Sequence, residues 1–221
     1  MLTVLGLNEK ANEMMKLLGF TWDEDGVERL DSFAEICTGV FPVNAENMKT
    51  WIRMTMFLSS PKTAIDAESV LTWIPKPTVL ADMEANDLII KRMHPNDITS
   101  FGCRCFLRLG RDDDAYELAH LTCHPDQKTE KKTTLVAARM VLGQVAAKRG
   151  DLDEASDHFA KALEEAKQSC FPMMELLAAR DWKKYLLEPS GRDCSAAESA
   201  IDAACSQLNK TRKELGDILA A

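Results

Sequence analysis

The sequence contains no long apolar run. None approaches the roughly 18 residues that a membrane-spanning helix needs, so no membrane partner is expected. Aromatic residues are scarce at 6%, and there are ten glycines in 221 residues. Strands draw on aromatic residues and their turns on glycine, so this scarcity argues against an all-β fold. Positive charge is also short. Twenty-seven Lys and Arg face 35 Asp and Glu, for a net charge of −8. That balance disfavours nucleic acid or an anionic membrane surface as partner. The N-terminal stretch MLTVLGLNEKANEMM lacks a basic segment followed by an apolar core, so no signal peptide is expected. The seven cysteines are odd in number and scattered, and none form C-x-x-C. Reduced thiols and a cytoplasmic location follow as the expectation. The sequon at Asn209 is then not expected to be glycosylated. No phosphate-binding, dinucleotide-binding, nucleophile-elbow or H-E-x-x-H motif occurs, so catalytic residues, a resident metal and cofactors are all expected to be absent.

What remains is a helical composition, 46% apolar and 28% charged. The length suits one compact domain or one short solenoid. Leu135 to Lys167 organises the chain. Leu135, Ala138, Leu142, Val145 and Ala146 recur at steps of three and four, which puts them on one helix face. Gly150 interrupts. Leu152, Ala155, Phe159, Ala162, Leu163 and Ala166 then form a second stripe, with Asp151 placed as N-cap and Glu154 three residues on. Two stripes joined by so short a turn must fold back on each other, because neither buries its face alone.

This hairpin resembles one tetratricopeptide repeat. Leu142, Gly143, Gly150, Ala155, Phe159 and Ala162 carry the resemblance, while Arg139 and Ala146 stand where the family prefers Trp and Tyr. A weaker repeat covers 96–125, with Phe106, Gly110 and Ala115 in register. The polar loop 124–134 then lengthens the step to the next repeat beyond the family's period of about 34 residues. The resemblance implies an all-α, right-handed superhelical solenoid of antiparallel helix pairs. Residues 1–95 would be a degenerate helical region, 96–187 the repeats and 188–221 a capping helix. Within them, helices are expected at 8–18, 44–57, 63–74, 79–93 and 171–187, a turn at 188–195, and a capping box at Ser195 with Glu198. The last helix is expected to run unbroken from Ala197 through Leu208, Thr211 and Leu215 to Ile218.

Two clusters invite chemistry. Cys103, Cys105, His120, Cys123 and His124 include suitable zinc ligands. Cys103 and Cys105 equally fill slots where the repeat needs small residues, and cysteine packs as one. Cys123 and His120 have the spacing of a dyad, which neighbouring helix positions also produce by chance. Thr21 to Gly26 looks like a calcium loop but lacks acidic residues at the first and twelfth positions, so it reads as an acidic turn. Asp112, Asp113 and Asp114 suit a helix N-terminus. The eleven methionines and four tryptophans read as core.

The resemblance also implies a ligand face. In such proteins the first helix of each repeat lines a concave groove. Register on Gly110 and Gly150 puts Arg104 and Arg108 in that groove from one repeat, and Gln144 and Lys148 from the next. Each pair is four apart and shares a face. The implied function is a non-catalytic adaptor for a protein or peptide carrying an acidic or carboxylate group, although such residues are also ordinary on a solvated helix face. A helical enzyme or metal-binding thiol protein using residues 103–124, and a structural subunit of a larger assembly, remain as alternatives.

Overall fold

A computed structural model describes residues 45–59, 74–86, 98–124 and 132–220, with isolated positions 13, 16, 17, 32, 71 and 72. Apart from those isolated positions and residue 74, the expected helices at 8–18 and 63–74 lie outside the described residues, as does the acidic turn at 21–26. All the regular elements are helices, and no strand occurs among the described residues. The chain divides into two compact units, Met1–Asp114 and Ala115–Ala221.

In the first unit, α1 (Ala45–Ser59), α2 (Pro77–Asn86) and α3 (Ile98–Arg108) are described. Pro77 is the first residue of α2, where the N–H that proline lacks would have no helical partner anyway. Helix α3 packs against both α1 and α2. Trp51 meets Phe101 edge-on with ring centroids 5.9 Å apart. Cys105 Sγ lies 3.8 Å from Met54 O, and Arg108 covers the Phe57 ring at 4.6 Å. Each of these pairs is 50 or 51 residues apart in sequence, so α1 and α3 run parallel. Met54, Met56, Ile98, Phe101, Cys105 and Phe106 are among the buried residues of this unit.

Helix α3 ends at Gly110, which has φ +71°. Arg111 N–H donates to Phe106 O and closes the last turn. The same closure recurs in the second unit: Gly150 with Asp151 N–H to Ala146 O, and Gly191 with Arg192 N–H to Leu187 O. A left-handed residue there satisfies a carbonyl that the helix leaves open, and glycine does so without a Cβ clash.

Helix α4 (Asp112–Cys123) begins with three aspartates in its first turn, where the helix dipole favours them. Helices α5 (Lys132–Arg149) and α6 (Leu152–Gln168) form the hairpin expected from the two stripes. Lys132 meets Gln168, Arg139 meets Glu165 and Gly143 meets Phe159. The paired numbers rise on one helix as they fall on the other, so the two are antiparallel. Asp151 caps α6 by accepting from Glu154 N–H at 3.0 Å, an interaction worth about 1 kcal/mol. The reciprocal half of the box is not formed. The Glu154 carboxylate instead accepts from Tyr116 Oη of α4 at 3.0 Å and lies 3.4 Å from His158 Nε2.

Helix α7 (Pro172–Trp182) does not stop at residue 187 as expected. It runs through a π-helical turn, Lys183–Leu187, into Glu188–Ser190. Pro189 has no N–H to give Tyr185 O and its ring crowds that carbonyl, and a widened turn relieves both faults. Helix α8 (Ser195–Gln207) packs antiparallel on α7: Lys183 meets Glu198, and Gln207 meets Glu175. Helix α7 also contacts α5 and α6.

The expected capping box at Ser195 is not formed. Cys194 is the N-cap, Asp193 accepts from Ser195 N–H and Oγ, and the Glu198 carboxylate is taken by Lys183 and Arg212. The last helix is also not continuous. It ends at Gln207, turns through Asn209 at φ +52°, and resumes as α9 (Gly216–Ala220). The capping box that does form is Thr211 with Glu214. Glu214 accepts from Thr211 N–H at 2.8 Å, and Glu214 N–H points back at Thr211 Oγ1 at 3.3 Å.

Candidate functional site

The four residues expected to line a groove fall in different units. Arg104 and Arg108 belong to the first, Gln144 and Lys148 to the second. Arg104 is half-buried on α3. Arg108 is also half-buried. Its Nη1 donates to Phe57 O and its guanidinium stacks on the Phe57 ring, a cation–π contact. Burial lowers its pKa, against the opposing influence of Cys105. Gln144 Nε2 donates to Asp181 Oδ2 at 3.0 Å, so this side chain ties α5 to α7. Lys148 is exposed in the last turn of α5.

The cysteine and histidine residues are likewise divided. Cys103 and Cys105 lie buried in the first unit, in the small-residue role their slots suggested. Burial pushes the Cys105 thiol far up, well beyond the effect of nearby Arg108 and Arg104. In the second unit, exposed His120 stacks on Tyr116 with centroids 6.1 Å apart and neighbours His124 at 6.4 Å. Half-buried Cys123 is pushed up to about 11 by burial, so it is a thiol at neutral pH. Among the described residues, no three His, Cys, Asp or Glu side chains converge to hold a metal ion. Labelling of the native chain by a thiol reagent, followed by peptide mass spectrometry, should modify exposed Cys170 well before Cys103 or Cys105. Rapid modification of all three would contradict the burial.

A buried polar arrangement of the second unit is one the motifs did not single out. On α7, Arg180 and Asp181 are both buried, at 7% and 3% exposure. Arg180 Nε donates to Asp181 Oδ1 at 2.7 Å, and Arg180 Nη1 donates to Ile218 O of α9 at 2.9 Å. With Gln144 on the other Asp181 oxygen, one ion pair joins α5, α7 and α9.

Beside this pair lies an open cleft of about 310 Å³. Arg180, Lys183, Lys184 and Arg212 line it, with Glu188 as its single acidic liner. Ile201, Leu219 and Ala220 supply the apolar part. Glu198 is not a liner but bridges two of the cations, Lys183 at 2.5 Å and Arg212. Those two partners hold its carboxyl below the usual range, and Asp202 with Glu198 raises Arg212 in turn. Arg180, Lys183 and Lys184 are spaced i, i+3, i+4, and that spacing was the readable signal of one basic face. Arg212 joins them only because the chain turns at Asn209, which no pattern announced.

No family model, no curated protein and no solved structure matches the chain.

Proposed function

We propose that the chain is a non-catalytic helical scaffold, similar in kind to tetratricopeptide repeat proteins, which holds a protein or peptide partner bearing an acidic or carboxylate group in a cytoplasmic setting. The observation that carries this reading is the succession of antiparallel pairs in the second unit. Helices α5 and α6 pair, α7 and α8 pair next, and α7 packs on both members of the earlier pair. Stacked pairs of this kind expose one helix face after another along a surface, which suits them to holding an extended partner. The parallel run of α1 and α3 in the first unit supports the same reading, since the first helices of neighbouring pairs lie side by side in such arrays. Arg104 and Arg108 on the first unit, and separately Lys148 on the second with Gln144 as a neutral donor, are the residues assigned to partner contacts, because charge-assisted hydrogen bonds to carboxylates are the strong ones.

The test starts from the full chain as bait, with captured proteins identified by mass spectrometry. The variant Arg104→Glu with Lys148→Glu is then assayed against the captured partner. Affinity should fall by about a hundredfold, as two charge-assisted contacts turn repulsive. The melting temperature is read in parallel, so that lost binding is separated from lost folding. Unchanged affinity would remove these residues from the partner surface.

A further inference from the structure

One carboxylate of the α5–α6 hairpin ties α4 to it, and that carboxylate has two claimants. Glu154 Oε1 of α6 accepts from Tyr116 Oη of α4 at 3.0 Å and lies 3.4 Å from His158 Nε2, one turn further along α6. Arg149 of α5 covers the Tyr116 ring at 4.5 Å. Burial, and after it the Glu154 carboxylate, raises the Tyr116 pKa, so the phenol keeps its proton and stays a donor at neutral and mildly acid pH. A neutral His158 that donates to the same oxygen carries its one proton on Nε2, which leaves Nδ1 bare. Nδ1 is buried, and among the described residues no group bonds to it.

The charges around this ring are unequal. Glu154 and Lys161 act on it from its own helix and Arg139 from α5, while α4 brings the neutral Tyr116 phenol to the shared oxygen. Arg139 is itself paired with Glu165 of α6 at 2.7 Å. Glu154 favours a second proton on His158, and burial with the two cations opposes it. Burial is the largest influence, and the ring is held below the ordinary imidazole value of about 6.5.

We propose that His158 is an acid-sensitive latch, which holds α4 to the α5–α6 hairpin while neutral and releases it when protonated. A proton on Nδ1 creates a buried N–H donor with no acceptor where the ring sits, and moving the ring toward water relieves that fault. The imidazolium also competes with the phenol for Glu154 more strongly than a neutral ring does, because the pair then carries opposite full charges. Glu154 follows the ring, and Tyr116 loses its acceptor. The folded ring resists a proton that the open state accepts, so the latch is closed above about pH 6.5 and loosens as pH falls below that value. One proton taken up on opening raises the open fraction by up to about tenfold per pH unit.

The test is hydrogen exchange of the full chain, read by mass spectrometry at about pH 7.5 and 5.5 and corrected for the intrinsic effect of pH on exchange. Peptides from 115–123 should exchange about three- to tenfold faster at the lower pH, and peptides from 195–207 at an unchanged rate. His158→Gln keeps an N–H for Glu154 without a titrating ring, and should abolish the acid response. His120→Gln with His124→Gln removes the neighbouring histidines and should retain it. Tyr116→Phe should quicken exchange at 115–123 already at the higher pH, because its bond to Glu154 is then absent at any pH. Independently of any variant, the Tyr116 ring resonances should move with the same midpoint as those of His158 in an NMR titration. A change below about twofold at 115–123, an equal change at 195–207, or separate midpoints for the two rings would overturn the proposal. So would a response that survives in His158→Gln, or one lost in His120→Gln with His124→Gln. None of these outcomes bears on partner capture through Arg104 and Lys148, so the two readings stand or fall separately.

Discussion

Phe159→Ala is expected to destabilise the chain by roughly 3–5 kcal/mol, read by urea denaturation. The ring is fully buried and belongs to a cluster with Ala146 of α5, Leu186 and Leu187 of the π-helical turn, and Ala197 of α8. It therefore touches both helix pairs, and its loss opens a cavity that small neighbours such as Ala146, Ala155 and Ala197 cannot collapse into. The contact on the α5 side is closer still. A Cβ built on Gly143 would stand 2.8 Å from two carbons of the Phe159 ring, so the ring needs a glycine beneath it. Gly143→Ala alone should cost about 1–3 kcal/mol through overpacking, net of its gain in helix propensity. In the Phe159→Ala background the same change should become neutral or stabilising, because the added methyl enters vacated space. Strict additivity of the two changes would show that the ring does not rest on Gly143.

The Gly143–Phe159 contact also shows why this hairpin was legible in the sequence. Its information is local: two stripes of period 3.6, a glycine at the turn, a capping aspartate and a small residue opposite a large one. Each of those features acts within one helix or across one turn, and the structure reproduces them. The misread features depend on distant residues. Glu198 sits three positions after Ser195 and looks like half of a capping box, but Lys183 and Arg212 compete for its carboxylate. Thr211 with Glu214 has the same spacing and no competitor other than Lys210, which lies on the same turn. The apolar rhythm continued from Ile201 through Leu208 to Ile218, with no proline and no glycine before Gly216, so it read as one helix. Asparagine tolerates the left-handed region, and a reversal at Asn209 still buries Leu215 and Ile218. Residues 188–195 read as a turn, and the helix instead runs through a π-helical turn into Glu188–Ser190.

The candidate cleft was half legible for the same reason. Three of its cations follow one another on a single helix face, and spacing alone reveals them. The fourth arrives through the Asn209 reversal. The pairing of Gln144 with Asp181 joins residues 37 positions apart, and nothing in either local pattern points to the other. Gln144 looked like a surface donor because its helix stripe left it outside the apolar face. In the folded second unit that edge of α5 is where α7 arrives.

Asp181→Ala is expected to cost about 3–5 kcal/mol, comparable with the loss at Phe159 although almost no apolar area is removed. Asp181 is 3% exposed and accepts from Arg180 through Oδ1 and from Gln144 through Oδ2. Removing the carboxylate leaves the Arg180 guanidinium buried, at 7% exposure, without its counter-charge. The Ile218 carbonyl to which it also donates is neutral and cannot compensate a full charge. Gln144 loses its acceptor at the same time. The penalty comes from the stranded charge and not from the attraction lost, and that distinction sets the second arm of the experiment. Arg180→Met with Asp181→Leu removes both charges together, fills similar volume, and should recover most of the stability. The double variant should also loosen α9, whose Ile218 carbonyl loses its donor, so hydrogen exchange at residues 216–220 should quicken while α5 and α6 stay protected. A loss below about 1 kcal/mol in Asp181→Ala would mean that Arg180 reaches water when its partner is removed. The pair would then be a surface ion pair, and it could not be what holds α5, α7 and α9 together.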